Sequence, residues 1–282
     1  MKNKICMITG ASSGIGKATA QGLAEMGAIV VLVSRDRGRG EAALAEIKAA
    51  SANPDIHLLL ADLSSQKAVR QLADDFRARF NQLHVLVNNA GVAYTRRSVT
   101  VDGIETTLAI NYLAPFLLTN LLLDTLKASA PARVVNVAGD YHRKASINFA
   151  DLMSEKEYNS LRANNQAKLA LILFTYELAR LLAGTGVTVN CLHPGAVGTN
   201  SIDRDPDVPA FSRLLYRLVK PFFLSPEKGA ETSLFLASSP AVEGVTGKYF
   251  IKKKAVSSSV ESYDEAIARK LWEVSTGLAG LS

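Results

Sequence analysis

The first sixteen residues constrain the fold most. Ile5-Cys6-Met7-Ile8-Thr9 is a short apolar run that stops at Gly10, and Lys17 to Ala24 reads as a helix. Between them Ala11-Ser12-Ser13-Gly14-Ile15-Gly16 supplies two further glycines. A buried strand, a glycine-rich turn and a helix in that order make a cradle for a phosphate. Gly10 permits a sharp turn out of the strand. Gly14 and Gly16 let a pyrophosphate and the first helical turn approach the backbone. The helix then offers unpaired N–H groups and the positive end of its dipole to an anion. The spacing is Gly-x-x-x-Gly-x-Gly and not the general Gly-x-Gly-x-x-Gly. A tight strand–helix turn without a ligand uses the same pattern.

Apolar runs and helical patterns alternate through the rest of the chain. Strands are expected at 29–33, 56–60, 85–88, 133–137, 187–192 and 248–251, which with the first makes about seven. Helices are expected at 39–50, 66–80, 103–128, 155–183 and 262–276, the last opened by a capping box at Ser262-Tyr263-Asp264-Glu265. Continuous apolar strands alternating with helices imply a doubly wound α/β fold, a parallel sheet covered by helices on both faces. Its ligand crevice lies at the carboxyl ends of the strands. The 282 residues, nearly half of them apolar, suffice for one such domain over the whole chain.

Several function classes recede on composition. The net charge of +6 is spread among acidic residues, which argues against a nucleic-acid partner. Cys6 and Cys191 lie inside apolar runs, as buried thiols of a reducing compartment do, and no Cys/His spacing suggests a metal. Met1-Lys2-Asn3-Lys4 is charged, but the apolar run after it is too short for a secretory signal. No stretch has the length of a transmembrane segment, and the expectation is a cytoplasmic protein with room for homo-oligomers.

Polar groups gather at the strand ends. Ser34-Arg35 follows the second strand, where an acid would accept from a ribose 2′-hydroxyl; a hydroxyl and a guanidinium suit a 2′-phosphate instead. Asp62 follows the third strand and Asn88-Asn89-Ala90-Gly91 the fourth.

With Thr9 to Gly16, Asp62, Asn88 to Gly91, Asn111 and Pro194-Gly195, the chain resembles the short-chain dehydrogenase/reductase family over nearly its whole length. Asn111 to Leu122, Leu173 to Ala179, Leu192-His193-Pro194-Gly195 and Gly247 to Phe250 resemble its retinol-dehydrogenase-like branch. The resemblance implies a single Rossmann-type domain, a nicotinamide dinucleotide and carbonyl/alcohol chemistry on small organic molecules, with Arg35 favouring NADP(H). It implies cofactor contacts at Gly10, Ser12, Ser13, Gly14, Ile15, Gly16, Ser34, Arg35, Asp62, Leu63, Asn89, Ala90, Gly91, Lys168, Pro194, Gly195 and Thr199.

The family's chemistry uses a tyrosine four residues before a lysine, a serine after the fifth strand and an asparagine on the long helix. Here Asn111 and Lys168 match, but Asn164 stands at the tyrosine position and Gly139 at the serine position. Asparagine has no useful proton and glycine no side chain. Tyr94, Asp140, Tyr141, His142 and His193 lie on neighbouring loops. Asp140 and His142 draw most interest, since an imidazole beside a carboxylate does acid–base work near neutrality. The segment 196–227 resembles the family's substrate lid and implies an apolar or aromatic substrate; a dimer contact or a membrane-surface helix are the alternatives. Two functions stay open: an NADP(H)-dependent enzyme with altered or non-redox chemistry, and a catalytically silent relative that senses NADP(H) or binds a partner.

Overall fold

The structure, a computed structural model, describes residues 1–198, 208, 211, 216 and 223–281. Its chain runs β1 (Ile5–Thr9), α1 (Gly14–Glu25), β2 (Ile29–Ser34), α2 (Arg37–Ser51), β3 (Ile56–Leu60), α3 (Gln66–Arg79) and β4 (Val85–Asn88). Then come α4 (Thr106–Leu108), a π-helical turn (Ala109–Leu113), α5 (Ala114–Leu121), α6 (Leu123–Ala128), β5 (Ala132–Val137), α7 (Ser160–Leu181) and β6 (Val187–His193). The described chain finishes with α8 (Pro226–Ser238), β7 (Tyr249–Ile251), β8 (Lys254–Val256) and α9 (Glu265–Leu278).

The strands form one sheet in the order β3-β2-β1-β4-β5-β6-β7-β8. All neighbours are parallel except β7 and β8. β1 sits centrally, with Cys6 opposite Val30 of β2 and Val85 of β4. The chain winds outward from β1 to β3 and then returns to β4 on the other side of β1. That reversal opens a crevice at the carboxyl ends of β1 and β4.

Alternate strand residues feed two cores, which is why the strands read as unbroken apolar runs. Met7, Val31, Leu86, Val134 and Val189 face α3, α5, α7 and α9. Cys6, Ile8, Val30, Val87, Val135 and Leu192 face α1, α2 and α8. The Phe116 ring packs edge-on to Trp272 of α9 at 5.0 Å and tilts against Phe174 of α7 at 5.3 Å. Tyr112 bonds Ser275 at 2.6 Å, so α9 is fastened over the seam between the π turn, α5 and α7.

One polar ladder crosses this apolar interior. Asn88 Nδ2 donates to Thr119 Oγ1 (3.1 Å) and Asn136 Oδ1 (2.8 Å), and Asn136 Nδ2 donates to Thr175 Oγ1 (2.9 Å). It ties β4 and β5 to α5 and α7. Asn136→Leu keeps the branched shape but leaves one of the two buried Asn88 amide N–H groups without its partner, the other staying on Thr119. The expected destabilisation is about 1–3 kcal/mol, read as a lower urea midpoint at unchanged slope; an unmoved midpoint would show the ladder to be idle.

Four expectations shift. The 103–128 helix begins at Thr106, where the Glu105 carboxylate accepts from Thr107 N and Leu108 N at 2.8 and 2.7 Å. It is then interrupted by the π turn and broken again at Leu122, whose φ is −99° and ψ 6°. The 155–183 helix begins at Ser160, because Asn159 caps it by accepting from Arg162 N at 3.0 Å. The capping box at Ser262 does not form: Ser262 is buried on Ser258, and Asp264 caps α9 through Ala266 N and Ile267 N. An eighth strand, β8, joins the sheet antiparallel, with Lys252 and Lys253 forming the turn at positive φ (49° and 65°).

Candidate active site

The glycine turn closes onto the exit of β4. Gly10 and Gly14 have φ of 66° and 57°, a left-handed conformation that suits glycine. A Cβ on Gly10 would lie 2.9 Å from Ala90 Cα. One on Gly16 would lie 2.3 Å from Asn89 Nδ2 and 2.5 Å from the Gly10 oxygen. Gly16 therefore serves close packing of α1 against the turn. Asn89 Nδ2 donates to Thr9 O at 2.9 Å, and Thr9 Oγ1 accepts from Asn89 N (3.0 Å) and Ala90 N (3.1 Å). Thr9 thus staples the glycine turn to the exit of β4.

What the staple leaves open is the N-terminus of α1. Ser13 precedes it in extended conformation and its side chain does not cap the helix. By contrast α2, α3, α7, α8 and α9 each start with a side chain that accepts from a first-turn N–H. The N–H groups after Ser13 are thus available to an anion, the property a pyrophosphate needs. A nicotinamide dinucleotide fits this turn on that ground.

At the exit of β2, Ser34 is buried and its hydroxyl donates to Asp36 O at 2.9 Å, so it faces inward. Arg35 is exposed and makes no hydrogen bond or salt bridge among the described residues. Asp36 caps α2 through Arg39 N at 2.8 Å, which holds its carboxyl below the usual range. After β3, Asp62 Oδ1 accepts from Ser64 N (3.0 Å) and Ser64 Oγ (2.7 Å), while Leu63 packs on the core. Pro194 and Gly195 follow β6; Gly195 has φ of 89°. Thr199 and most of 196–227 lie outside the described residues.

The remaining residues meet beyond β4 and β5. Asn111 lies in the π turn, a local widening frequent at functional sites. Its Oδ1 accepts from Val92 N at 2.8 Å, and its Nδ2 donates to Val92 O (2.8 Å) and Asn164 Oδ1 (3.1 Å). Lys168 Nζ donates to Val137 O at 3.1 Å. A Cβ on Gly91 would lie 3.5 Å from Asn111 Oδ1 and 3.6 Å from Lys168 Nζ, so Gly91 sits between the two side chains. Burial lowers the Lys168 ammonium to about 8. Asn164 and Lys168, one turn apart, share a helix face. Thus Asn111, Asn164, Lys168 and Gly91 come together, with Gly139 just past the Val137 carbonyl.

Gly139 has φ of 161°, ordinary extended backbone, and a Cβ there would meet nothing nearer than Tyr141 Cδ2 at 4.0 Å. The Gly139 carbonyl accepts from His142 Nδ1 at 2.8 Å and Tyr249 hydroxyl at 3.3 Å. His142 is fully buried and packs edge-on to the Tyr249 ring at 4.9 Å. Asp140 instead pairs with Arg143 Nε at 2.7 Å. The expected imidazole–carboxylate pairing is thus replaced by two separate arrangements. Burial lowers His142 and His193, which keeps both rings neutral near pH 7. Tyr158 hydroxyl donates to Tyr94 O at 2.9 Å, fixing the loop after Gly91.

Among the described residues no helix is long and apolar enough to cross a membrane, and no cluster of His, Cys, Asp and Glu could hold a metal ion.

Comparison with known proteins matches residues 4–207 to the short chain dehydrogenase family. Retinol dehydrogenase 14 of Mus musculus is 44% identical over 292 residues, covering 100% of this chain and 87% of its own. Retinol dehydrogenase 12 of Homo sapiens is 44% identical over 281 residues, covering 100% and 88%. A solved structure of an uncharacterized Mycobacterium Paratuberculosis protein superposes with a TM-score of 0.79 at 30% identity, covering 99% of this chain and 94% of that one. The Pseudomonas aeruginosa RhlG/NADP active-site complex does so with a TM-score of 0.70 at 27% identity, covering 93% and 97%.

Proposed function

The chain belongs to the short chain dehydrogenase family, and on that premise we propose that it is an NADP(H)-binding member acting on a small apolar organic molecule, with an active site altered in its proton donors. The observation that carries the cofactor reading is the uncapped N-terminus of α1 behind the Gly10–Gly16 turn. In this reading the first-turn N–H groups of α1 hold the pyrophosphate, Asp62 and Leu63 flank the adenine end, and Lys168 holds the nicotinamide ribose. The whole chain is then one dinucleotide-binding unit, with 196–227, including Thr199, as its lid. The bound dinucleotide supplies or takes a hydride. Asn111, Asn164 and Lys168 orient the carbonyl end of the substrate beside it.

Arg35 is exposed at the exit of β2 and unpaired among the described residues, which supports a 2′-phosphate partner. Ser34 is turned inward and lends the phosphate little. NADPH is expected to bind at least tenfold more tightly than NADH, a difference of about 1.4 kcal/mol. Arg35→Ala should abolish that preference while NADH affinity stays put. Calorimetric titrations giving equal affinities, or an unaltered NADPH affinity in the variant, would contradict the assignment.

The altered donors are Asn164, four residues before Lys168, and Gly139, after β5. They stand where the family places its tyrosine and serine. Neither can give a proton to an alkoxide, so little turnover of ordinary ketones, aldehydes or alcohols is expected.

A further inference from the structure

The sheet ends on two unlike edges. At one, β8 has three exposed residues, starts with Lys254 and follows a turn through Lys252 and Lys253. Short strands and lysines discourage further pairing. At the other, β3 spans Ile56–Leu60, five residues with no lysine, acid or proline among them. Val30 N donates to Asp55 O and Ala61 N donates to Ser34 O, both at 3.0 Å. In a parallel ladder this places the backbone groups of His57 and Leu59 toward β2 and those of Leu58 and Leu60 outward. No described residue takes the outward N–H and C=O groups of Leu58 and Leu60.

This edge floors an open groove of about 460 Å³. Leu58 and Leu60 lie along its floor, Arg37 and Glu41 of α2 on one bank, and Asp75 and Arg79 of α3 on the other. Each bank thus carries one arginine and one acid four residues apart. Arg37 and Glu41 are both more than half exposed, with 3.4 Å between them, and Arg79 has no ion-pair partner among the described residues.

We propose that the β3 edge is a self-association surface, where a second copy of this chain adds its own β3 antiparallel about a two-fold axis normal to the sheet. An axis through Leu58 pairs Leu58 with the second copy's Leu58 and Leu60 with its Ile56, so the outward backbone groups meet their complements. The same axis lays each helix beside its counterpart in the opposite direction. Reversal sets Arg37 toward the second copy's Glu41 and Asp75 toward its Arg79, and keeps like charges apart. α2 packs on both β2 and β3. With strands about 4.8 Å apart, two helices so seated lie about two strand spacings from each other, roughly the 8–10 Å at which helices pack. A basic or an acidic extended peptide would meet a charge of its own sign on each bank, so the second copy is the occupant that fits.

The test is the mass of the full-length protein by sedimentation velocity over a micromolar to submillimolar dilution series. The expected species is a dimer that dissociates on dilution. Glu41→Arg sets arginine against arginine and should weaken it about tenfold or more. Arg37→Glu combined with Glu41→Arg restores opposite signs across the axis and should recover the natural affinity. Arg79→Asp makes the same test from the other bank should Glu41→Arg fold poorly. Hydrogen exchange of the Leu58 and Leu60 amides should slow as the dimer fraction rises. A monomer throughout the series overturns the proposal, and its capture of a synthetic Ile56–Leu60 peptide would assign the edge to a foreign strand instead. A dimer indifferent to both Glu41→Arg and Arg79→Asp, or one in which the Leu58 and Leu60 amides exchange as fast as in the monomer, uses another face and overturns it too. Failure of the Arg37→Glu, Glu41→Arg pair to recover a dimer that Glu41→Arg has broken overturns the reversed alignment.

Discussion

The double variant Asn164→Tyr, Gly139→Ser is expected to turn over simple ketones with NADPH about 10²–10⁴-fold faster than the natural protein. Hydride delivery to an isolated carbonyl leaves an alkoxide. In the proposed site it meets the Asn164 amide and the Lys168 ammonium at the positions where the family places its phenol and near its serine hydroxyl. The backbone is ready for both replacements. Gly139 has φ of 161°, which any residue adopts, and its Cβ would meet nothing nearer than 4.0 Å. Asn164 is half-buried one turn before Lys168, so a phenol there would lie near an ammonium that lowers its pKa. The two gains belong to one catalytic unit and do not multiply, so the total lies near the larger single one. NADPH absorbance reads the effect. A natural protein already turning over simple ketones at ~1–10³ s⁻¹ would mean that another group supplies the proton, and His142→Ala and Tyr94→Phe would then identify it.

Gly16→Val should cripple cofactor binding without touching a predicted catalytic residue. A Cβ at Gly16 would lie 2.5 Å from the Gly10 carbonyl oxygen and 2.3 Å from Asn89 Nδ2. The first obstacle is backbone, and the second is an amide already held on Thr9 O at 2.9 Å. Neither yields cheaply, so α1 must move off the turn. Overpacking of this kind costs about 1–3 kcal/mol, and where it falls on the cradle it lowers NADPH affinity about 5- to 150-fold. Gly277→Ala is the control, because a Cβ there meets nothing within 4 Å. Calorimetry on both variants decides it: Gly16→Val binding NADPH like the natural protein would mean that the turn does not form the site.

The parallel sheet was legible because its central strands are buried on both faces and read as apolar runs. β8 was not: Lys254, Ala255 and Val256 are all exposed, and three residues are too few to show an apolar run or an alternation. Helix starts failed where a cap competed with periodicity, as Asn159 and Asp264 did. The π turn that carries Asn111 left no periodic signal, since it adds one residue to a helix that is apolar nearly all round. At the candidate site, spacing alone brought Asn164 and Lys168 together, because i and i+4 are fixed by the helix. Asp140 and His142 were legible as candidates, but not their separate partners. They are near in sequence, but a short 3₁₀ turn over Asp140–Lys144 points one into the core and pairs the other with Arg143. Gly16 is expected to admit both a pyrophosphate and the first helical turn, and the close approach of the Gly10 oxygen and Asn89 Nδ2 to its Cβ position accounts for the second.

The proposed site is intact in its cofactor cradle and altered in its proton donors. Stopped-flow nicotinamide fluorescence reads both halves in one trace. NADPH is mixed with the natural protein, and a simple ketone follows. The expected trace rises as the dinucleotide enters the cradle and then stays level after the ketone. A trace that never rises, or one that decays at ~1–10³ s⁻¹ once the ketone is present, would contradict it.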